Sequence, residues 1–461
     1  AKNEAMLFKY GSGTGTNLST LRAAKERLTG GGRPSGPMAY WSFYDKVAGI
    51  VKSGGKTRRA AKMDILNIEH PDIMEFIKSK MHEETKLHIL IDNGVDWKEA
   101  VETCNYQNTN ISIRASDAFM KTILSDGEWQ TIPVHSKHLA NEMPKYRAKE
   151  LLKEISKGTH FCGDPGIQFH DTINKWHTCP NSGIINASNP CSEYVFLDNS
   201  SCNLASLNLM NFLNEDGKFN VENFSQAVKI TAIAQDLEID NSSYPTKPIA
   251  ENSHKFRPLG MGYANLGSVL MFLGLPYDSE EARAVAASIT ALLTGKVYET
   301  STEMAEKIGV FEEFEKNKIP MLNVMKMHRD SLELINITKL PKEFLPVFEE
   351  AKKTWDRVIE RGDIFGFRNS QASCLAPTGT IGFMMDCDTK GIEPEIGLVQ
   401  TKLLSDGGTL KLVNGTVEKS LRRLGYDEKQ TQEILSYIVI HETIEGAPHL
   451  KNQHLAVFDC A

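Results

Sequence analysis

The stretch Asn189-Pro190-Cys191-Ser192-Glu193 says more about local fold and chemistry than any other part of the sequence. Pro190 has no backbone N–H and biases Asn189 toward extended conformations, which predicts a loop or the edge of a strand instead of a helix. If the segment is extended, side chains two positions apart share one face. Asn189, Cys191 and Glu193 would then bring an amide, a thiol and a carboxylate together. The alternative is an incidental turn with a surface glutamate and a small buried cysteine.

A second cysteine follows this stretch after a turn. Residues 198–201 read Asp-Asn-Ser-Ser, which is a strong turn signal, and Cys202 precedes the apolar run 204–209. Because eleven positions separate the two cysteines, one flat strand would send Cys191 and Cys202 to opposite faces. With the turn between them, both sulfurs can point inward from neighbouring segments.

Around these cysteines, short apolar strands alternate with longer helices. The predicted strands are 87–91 and 110–114, and the predicted helices are 21–28, 116–124, 225–238 and 281–306. Asp278-Ser279 is a cap signal for the last of these helices. This alternation of strands and helices indicates an α/β fold.

The composition of the 461 residues excludes several classes of protein. With 41% hydrophobic and 24% charged residues, it is close to that of an average soluble globular protein. The net charge of −7, spread along the chain, leaves no basic face for a nucleic-acid backbone. No apolar run approaches the roughly 18 residues of a membrane helix, and residues 1–20 contain no secretory leader pattern. We therefore expect a cytoplasmic protein that binds neither nucleic acid nor a membrane.

The chain has eight cysteines but no Cys-x-x-Cys pair, so we expect neither a disulfide scaffold nor a zinc site. Asp386 and Asp388 begin like a calcium loop, but Gly397 occupies the twelfth position, where a carboxylate is needed. The histidines lack the spacing of a zinc protease. No metal site is therefore predicted, and a special cysteine is expected to be catalytic.

Gly-rich segments predict backbone that approaches ligands closely. The segments 9–19, 29–37 and 53–57 are of this kind, with ordinary surface turns as the alternative. The segment Pro377-Thr378-Gly379-Thr380-Ile381 is predicted to open a helix whose N–H groups and threonine hydroxyls hold phosphate oxygens. Because Gly/Thr turns are common, this segment is a weak signal by itself.

Several long strings, taken in combination, resemble the catalytic subunit of ribonucleotide reductases. They are SGGKTRRAAKMDILNIEHPDI (53–73), NPCSE (189–193), SSCNLASLNL (200–209) and PTGTIG (377–382). The first string, the spacing of the two cysteines, FRPLGMGYANLG (256–267) and DCDTKGIEP (386–394) resemble the adenosylcobalamin-dependent class II branch. The similarity extends over essentially the whole chain.

This resemblance implies a ten-stranded α/β barrel, of which residues 1–461 form a catalytic domain that is incomplete at both ends. Cys191 would be the thiyl radical at the tip of a central finger loop, generated with adenosylcobalamin, and it would abstract the 3′-hydrogen of a ribonucleotide. Glu193 would be the general base for the 3′-OH, and Asn189 would hold the sugar hydroxyls. Cys202 would belong to the dithiol that supplies two electrons after the 2′-OH leaves as water.

The resemblance also implies binding sites for the substrate and for an allosteric nucleotide. The substrate would contact Gly13, all five residues of 189–193, and Pro377, Thr378, Gly379, Thr380 and Ile381. Within residues 1–63, loop 29–35 would lie near the effector, and loop 54–63 would couple effector to substrate base through Lys56, Arg58 and Arg59. Solvated surface charges are the alternative for these basic residues. The expected partners are a ribonucleoside diphosphate or triphosphate, a dNTP or ATP effector, a thioredoxin-like reductant and a second copy in a homodimer.

Two groups of cysteines that the resemblance implies have no match in this sequence. The second redox cysteine of the family lies upstream of a segment like KYGSGTGTN, and a C-terminal cysteine pair lies beyond a stretch like HLAVFDCA. We therefore expect a partial or split chain that needs another polypeptide for turnover. Alternatives are the large subunit of a class I reductase with a separate metal-containing radical subunit, an anaerobic glycyl-radical reductase, and an inactive nucleotide-binding fragment that works with a partner.

Overall fold

The computed structural model describes residues 1–51, 60–135, 137–403 and 409–461, and it divides into two compact units. The N-terminal unit consists of residues 1–200 and 243–250, and the C-terminal unit consists of residues 201–242 and 251–461. Helices and parallel strands occur in both units, so the predicted α/β class is confirmed. Among the described residues, no helix is long and apolar enough to cross a membrane.

The N-terminal unit is built on a four-stranded parallel sheet with the strand order β1-β2-β3-β6, and β4 and β5 form a separate antiparallel pair. Its elements are α1 (Lys2–Lys9), β1 (Thr14–Asn17), α2 (Gly36–Ile50), β2 (Lys62–Asn67), α3 (Ile73–Asp92), α4 (Trp97–Thr103), β3 (Asn110–Ala115), α5 (Asp117–Leu124), β4 (Glu128–Gln130), β5 (Lys145–Arg147), α6 (Ala148–Cys162), β6 (Gly166–Phe169) and α7 (His170–Lys175).

One face of the four-stranded sheet is apolar and packs against helices. Leu66 of β2 and Ile113 of β3 lie on this face, where they join Phe76 of α3, Phe119 of α5 and Leu151 of α6 in one buried cluster. Burial of a side chain of this size stabilises the fold by about 1.5–3 kcal/mol. The helices therefore fix the sheet from this side.

The same face carries a buried ionic cluster at the start of β2. Lys62 pairs with Glu4, and its Nζ lies 3.1 Å from Oδ1 of Asp64. Thr109 Oγ1 donates to Asp64 Oδ2 at 2.8 Å. Burial raises the pKa of Asp64 from 3.8 to about 6, although the nearby Lys62 charge acts in the opposite direction. Glu4 thereby ties α1 to β2.

The opposite face of the sheet is mostly polar, apart from Met63 and Ile65 of β2, and residues that follow α7 cover it. Arg114 of β3 donates from Nη2 to the carbonyl oxygen of Ile185. Asn17 of β1 donates from Nδ2 to the carbonyl oxygen of Asn186 at 2.8 Å. The polar face therefore holds the chain segment that leads to Cys191.

The C-terminal unit is largely helical around the parallel pair β7 and β8. The long helices α11 and α13 pack together, and Trp355 of α13 donates from Nε1 to the carbonyl oxygen of Ala291 at 3.0 Å. Strands β9 and β10 form an antiparallel pair. The elements are β7 (Asn203–Asn208), α8 (Val221–Asn241), α9 (Lys247–Phe256, which begins in the N-terminal unit), β8 (Leu259–Ala264), α10 (Leu266–Phe272), α11 (Glu280–Ile308), α12 (Phe314–Ser331), α13 (Leu345–Phe365), α14 (Gly379–Met384), β9 (Val399–Leu403), β10 (Thr409–Val413), α15 (Gly415–Arg423) and α16 (Glu428–His441).

Four of the predicted elements are confirmed. The strand at 110–114 is β3, and the helices at 116–124, 225–238 and 281–306 correspond to α5, α8 and α11. The cap of α11 is also as predicted, because Ser279 Oγ accepts a hydrogen bond from the backbone N–H of Ala282 at 3.1 Å.

The predicted strand at 87–91 is wrong, because these residues lie in α3. Leu87 is buried against Ala100 and Cys104, whereas Ile89 is exposed. A short apolar run fits one side of a helix as well as it fits a buried strand.

The predicted helix at 21–28 is also wrong, because this segment forms turns. Its backbone is held by carboxylates: Glu26 Oε1 accepts from the N–H of Ala23 and of Val134, and Asp72 Oδ2 accepts from the N–H of Ala24 at 2.7 Å. These tertiary hydrogen bonds outweigh the helix propensity of the segment.

The described residues do not form the predicted closed ten-stranded barrel. Their parallel strands are the four of the N-terminal sheet and the pair β7-β8, which is joined to residue 373 by a single bridge at Met261. The barrel and the assignment of residues 1–461 to one domain remain proposals.

Candidate active site

Cys191 lies at the apex of a tight turn in the N-terminal unit. Residues 188–194 are called the cysteine loop here. The carbonyl oxygen of Asn189 accepts from the N–H of Ser192 at 3.1 Å, and the N–H of Asn189 donates to the carbonyl oxygen of Tyr194 at 3.1 Å. Ser192 has a φ of +67°, in the left-handed region. Pro190 and Cys191 therefore occupy the two central positions of the turn.

The prediction of a loop is confirmed, and of the two forms considered for residues 189–193, extended or turn, the structure shows the turn. Proline fixes φ near −65°, which suits the first central position of a turn, so the chain reverses at Cys191 instead of continuing. Asn189 Oδ1 accepts from the N–H of Tyr194 at 2.9 Å and helps to close the loop. The convergence of Asn189, Cys191 and Glu193 on one strand face therefore has no support in this geometry.

The radical role that the resemblance implies for Cys191 needs a site shielded from water, but Cys191 is exposed. Ser192 is exposed as well, whereas Glu193 is half-buried. The apex of the turn, formed by Cys191 and Ser192, is thus exposed. Among the described residues, no group of three or more His, Cys, Asp and Glu side chains is arranged to hold a metal ion.

Two glycines let the cysteine loop lie directly against β1. A Cβ atom on Gly15 would come within 1.6 Å of the carbonyl oxygen of Ser188. A Cβ atom on Gly13 would come within 2.7 Å of Cγ of Pro190. Gly13, predicted to contact the substrate, thus lies against the proline ring next to Cys191.

Polar side chains of β3 and β6 hold the loop from below. Asn110 Nδ2 donates to the carbonyl oxygen of Pro190 at 2.9 Å. Gln168 Nε2 donates to Ser188 Oγ at 2.7 Å and to Ser192 Oγ at 3.1 Å. Sequence reasoning missed both residues; for Asn110, the polar positions alternating along 110–114 were the available signal.

Arg114 organises this polar layer. Its Nη1 donates to Oε1 of Gln168 at 3.0 Å, and its Nε donates to Nδ1 of His170 at 3.1 Å. Burial lowers the pKa of Arg114 to about 10, so the guanidinium is charged at neutral pH. The charge is stabilised in place by the acceptors that surround it.

Cys202 lies in the C-terminal unit, directly before β7, and is half-buried. A Cβ atom on Gly260 of β8 would come within 3.1 Å of the Cys202 sulfur and within 2.8 Å of the carbonyl oxygen of Asn203. Asn203 is held by α8, because its Nδ2 donates to the carbonyl oxygen of Gln235 at 2.8 Å. Since Cys191 belongs to the other unit, the inward orientation of both sulfurs remains a prediction.

Residues 377–381 open a helix, as predicted. Thr378 has a φ of +49° and precedes α14. Its Oγ1 accepts from the N–H of Gly391 at 2.8 Å, so this hydroxyl already has a partner within the protein. The bond joins strings 377–382 and 386–394 into one structural site, a link that their separate positions in the sequence did not reveal.

The predicted effector elements are only partly within the described residues. Lys56, Arg58 and Arg59 lie outside them. Loop 29–35 is largely exposed, and Gly31 and Gly32 have φ values of +90° and +85°. Glycine suits this backbone because it has no Cβ atom to clash in the left-handed region.

The sequence was compared with those of known proteins. The family model described as the barrel domain of ribonucleotide reductase matches residues 1–461. A vitamin B12-dependent ribonucleotide reductase of Rhodopirellula baltica is 55% identical, with an alignment that covers 100% of this chain and 44% of the relative. A vitamin B12-dependent ribonucleotide reductase of Streptomyces coelicolor is 47% identical, with an alignment that covers 100% of this chain and 48% of the relative. A Mycobacterium tuberculosis protein named vitamin B12-dependent ribonucleoside-diphosphate reductase is 30% identical, over 99% of this chain and 56% of the relative.

The chain spans about half the length of the curated relatives that it matches. The family match, in contrast, covers every residue of the chain. The three class II strings and the two cysteines lie within the matched region. The chain therefore belongs to the ribonucleotide reductase family.

Proposed function

We propose that this chain carries the radical site of a reductase that converts ribonucleotides to 2′-deoxyribonucleotides with adenosylcobalamin. The observation that carries the proposal is the placement of Cys191 at the apex of a turn that glycines, Asn110 and Gln168 hold against a parallel sheet. A radical site needs one accessible sulfur on a support that does not move. The names of the relatives favour a B12-dependent enzyme over the class I alternative.

The exposure of Cys191 is compatible with a reaction between its thiol and a bound cofactor. A thiol can lose its hydrogen atom only to a group that contacts the sulfur, and Cys191 is accessible at the loop tip. Cys191 and Ser192 would therefore face the bound adenosylcobalamin. When bound, this cofactor supplies the one-electron oxidation of the thiol. The surrounding protein must exclude water during that step, so we propose that the rest of the reductase covers the loop.

The residues beside Cys191 would act on the sugar of the substrate. The Cys191 sulfur radical takes the 3′-hydrogen, and Glu193 takes the proton of the 3′-OH as general base. Because Oδ1 of Asn189 accepts from Tyr194, the Nδ2 group would be the part of the amide that donates to a sugar hydroxyl. The 2′-OH takes a proton from the redox dithiol and leaves as water, and Cys191 returns a hydrogen atom to C3′ after the dithiol has reduced the sugar.

Two electrons must be returned to the sugar after this loss. We assign Cys202 to the dithiol that gives them, and a thioredoxin-like protein would restore that dithiol. The contact with Gly260 supports the assignment, since the absence of a side chain there makes room for the sulfur beside β8.

Substrate and effector recognition belong to the same proposal. Residues 377–381 would bind the phosphates of the substrate, and loops 29–35 and 54–63 would bind and read the effector in a homodimer. The diphosphate named for the Mycobacterium tuberculosis relative makes a ribonucleoside diphosphate the first substrate to try.

The proposal is tested by cysteine variants of the whole reductase, supplied with adenosylcobalamin, effector and a ribonucleoside diphosphate. Cys191→Ser should abolish both the deoxynucleotide and substrate-dependent cobalt–carbon homolysis. Cys202→Ser should abolish the deoxynucleotide but keep the homolysis rate within about twofold. Cys162→Ser, at the end of α6, is the matched control and should keep both activities. Turnover by Cys191→Ser would falsify the assignment.

A further inference from the structure

One buried side chain holds the cysteine loop on both sides of Cys191. Gln168 is 5% exposed, and its single amide nitrogen donates to the hydroxyls of Ser188 and Ser192. The two hydroxyl oxygens are 3.3 Å apart. Ser188 begins the loop and Ser192 directly follows Cys191, so one amide group spans the turn that carries the sulfur.

Arg114 sets the direction of that amide. Because Arg114 Nη1 donates to Oε1 of Gln168 at 3.0 Å, the amide nitrogen faces the two serines. Arg114 is only 2% exposed and is fixed by further bonds to Ile185 and His170. Gln168 thus has a defined orientation before any ligand binds.

The same network reaches the hydrogen bond that closes the turn. Ser188 Oγ donates to the carbonyl oxygen of Asn189 at 2.9 Å, and that oxygen also accepts from the N–H of Ser192. Ser192 has a left-handed φ of +67°, which residues other than glycine seldom adopt without support from their surroundings. Gln168 supplies this support through the Ser192 hydroxyl.

We propose that Gln168, oriented by Arg114, is a positioning residue for the Cys191 thiol, a role that rests on the proposed function. It fixes the two ends of the turn and so sets the direction in which the sulfur projects. Hydrogen transfer depends steeply on the placement of the reacting atoms. Loss of Gln168 should therefore slow hydrogen abstraction at Cys191 and leave substrate binding unchanged.

The test is Gln168→Met in the whole reductase, because methionine has a similar length but no N–H donor. We expect kcat to fall at least about 10-fold and KM to stay within about twofold. With substrate deuterated at C3′, the isotope effect on kcat should be larger than in the unaltered enzyme, since hydrogen abstraction becomes slower relative to later steps. Gln432→Met, on the exposed side of α16, is the matched control and should change none of these values.

A second variant separates positioning from folding. Ser192→Ala should slow kcat in the same way. The double variant should be no slower than the slower single variant, because the hydrogen bond lost in Ser192→Ala is one of the two that Gln168→Met removes. If Gln168→Met does not fold, Gln168→Glu keeps the side-chain shape and is measured by the same isotope effect. An unchanged kcat and isotope effect in the folded variant would overturn this inference. An unaltered reductase that makes no deoxynucleotide would contradict the proposed function instead.

Discussion

Among single residues, Gly15 is decisive because its lack of a side chain lets the cysteine loop pack against the sheet. Gly15 lies so close to Ser188 that any Cβ atom would occupy the position of the carbonyl oxygen. Gly30, in the exposed loop 29–35, has no atom within 4 Å of such a Cβ. The two glycines therefore differ in packing although both belong to Gly-rich segments.

Gly15→Ala should destabilise the protein, because Ser188 and the loop must move away from β1. We expect the free energy of unfolding to fall by about 1–3 kcal/mol, whereas Gly30→Ala should stay within about 0.5 kcal/mol of the unaltered protein. Urea denaturation of both variants measures this difference. Equal stabilities would mean that the loop does not pack on β1 as described.

The chemistry at 189–193 could be predicted from residue types, but its geometry could not. A thiol, an amide and a carboxylate in five positions already indicated a reactive site. The turn, in contrast, is stabilised by Gln168 and Asn110, which lie 24 and 80 positions from their partners in the chain. Local sequence patterns carry no information about such partners.

At the scale of elements, β2 combines an apolar and an ionic half. Leu66 joins the helical core, while Lys62 and Asp64 form the buried cluster with Glu4. A carboxyl group whose pKa is raised from 3.8 to about 6 holds its proton more tightly in the folded state. Its contribution to stability is complete below pH 3.8 and is lost as the pH rises through about 6.

Asp64→Asn should remove this pH dependence, because asparagine does not titrate. Relative to the variant, the unaltered protein should lose about 2 kcal/mol of unfolding free energy between pH 4 and pH 7. Urea denaturation of both proteins at constant ionic strength measures the difference. A difference independent of pH would show that Asp64 titrates normally.

The predictability of the elements follows from their length and surroundings. The helices α8 and α11 are long and have clear signals, so the sequence was sufficient to find them. The run 87–91 was too short to distinguish a strand from part of a helix. At 21–28, hydrogen bonds from backbone N–H groups to the carboxylates of Glu26 and Asp72 determined the backbone, and these depend on the tertiary fold.

At the scale of the whole molecule, the two cysteines belong to different compact units of a chain that spans about half of its relatives. Cys191 is exposed in this chain, although a radical would need protection from water. We propose that the remainder of the reductase provides that protection. The exposure of Cys191 can therefore be used to test whether the remainder of the reductase covers the cysteine loop.

Alkylation of cysteines can measure this protection. In the present chain, iodoacetamide should modify Cys191 faster than the buried Cys374, as followed by mass spectrometry of peptides. In the whole reductase, modification of Cys191 should be at least about 10-fold slower, as expected when opening is needed for access. Equal rates in both forms would argue against a cover supplied by the rest of the protein.

In the proposed mechanism, Cys191 carries the radical. The most direct test is electron paramagnetic resonance of the whole reductase frozen during turnover with adenosylcobalamin and substrate, using protein that contains cysteine deuterated at Cβ. A sulfur radical on Cys191 predicts a signal that narrows on deuteration and disappears in Cys191→Ser. A signal that deuteration does not change, or that persists in Cys191→Ser, would show that the radical lies elsewhere.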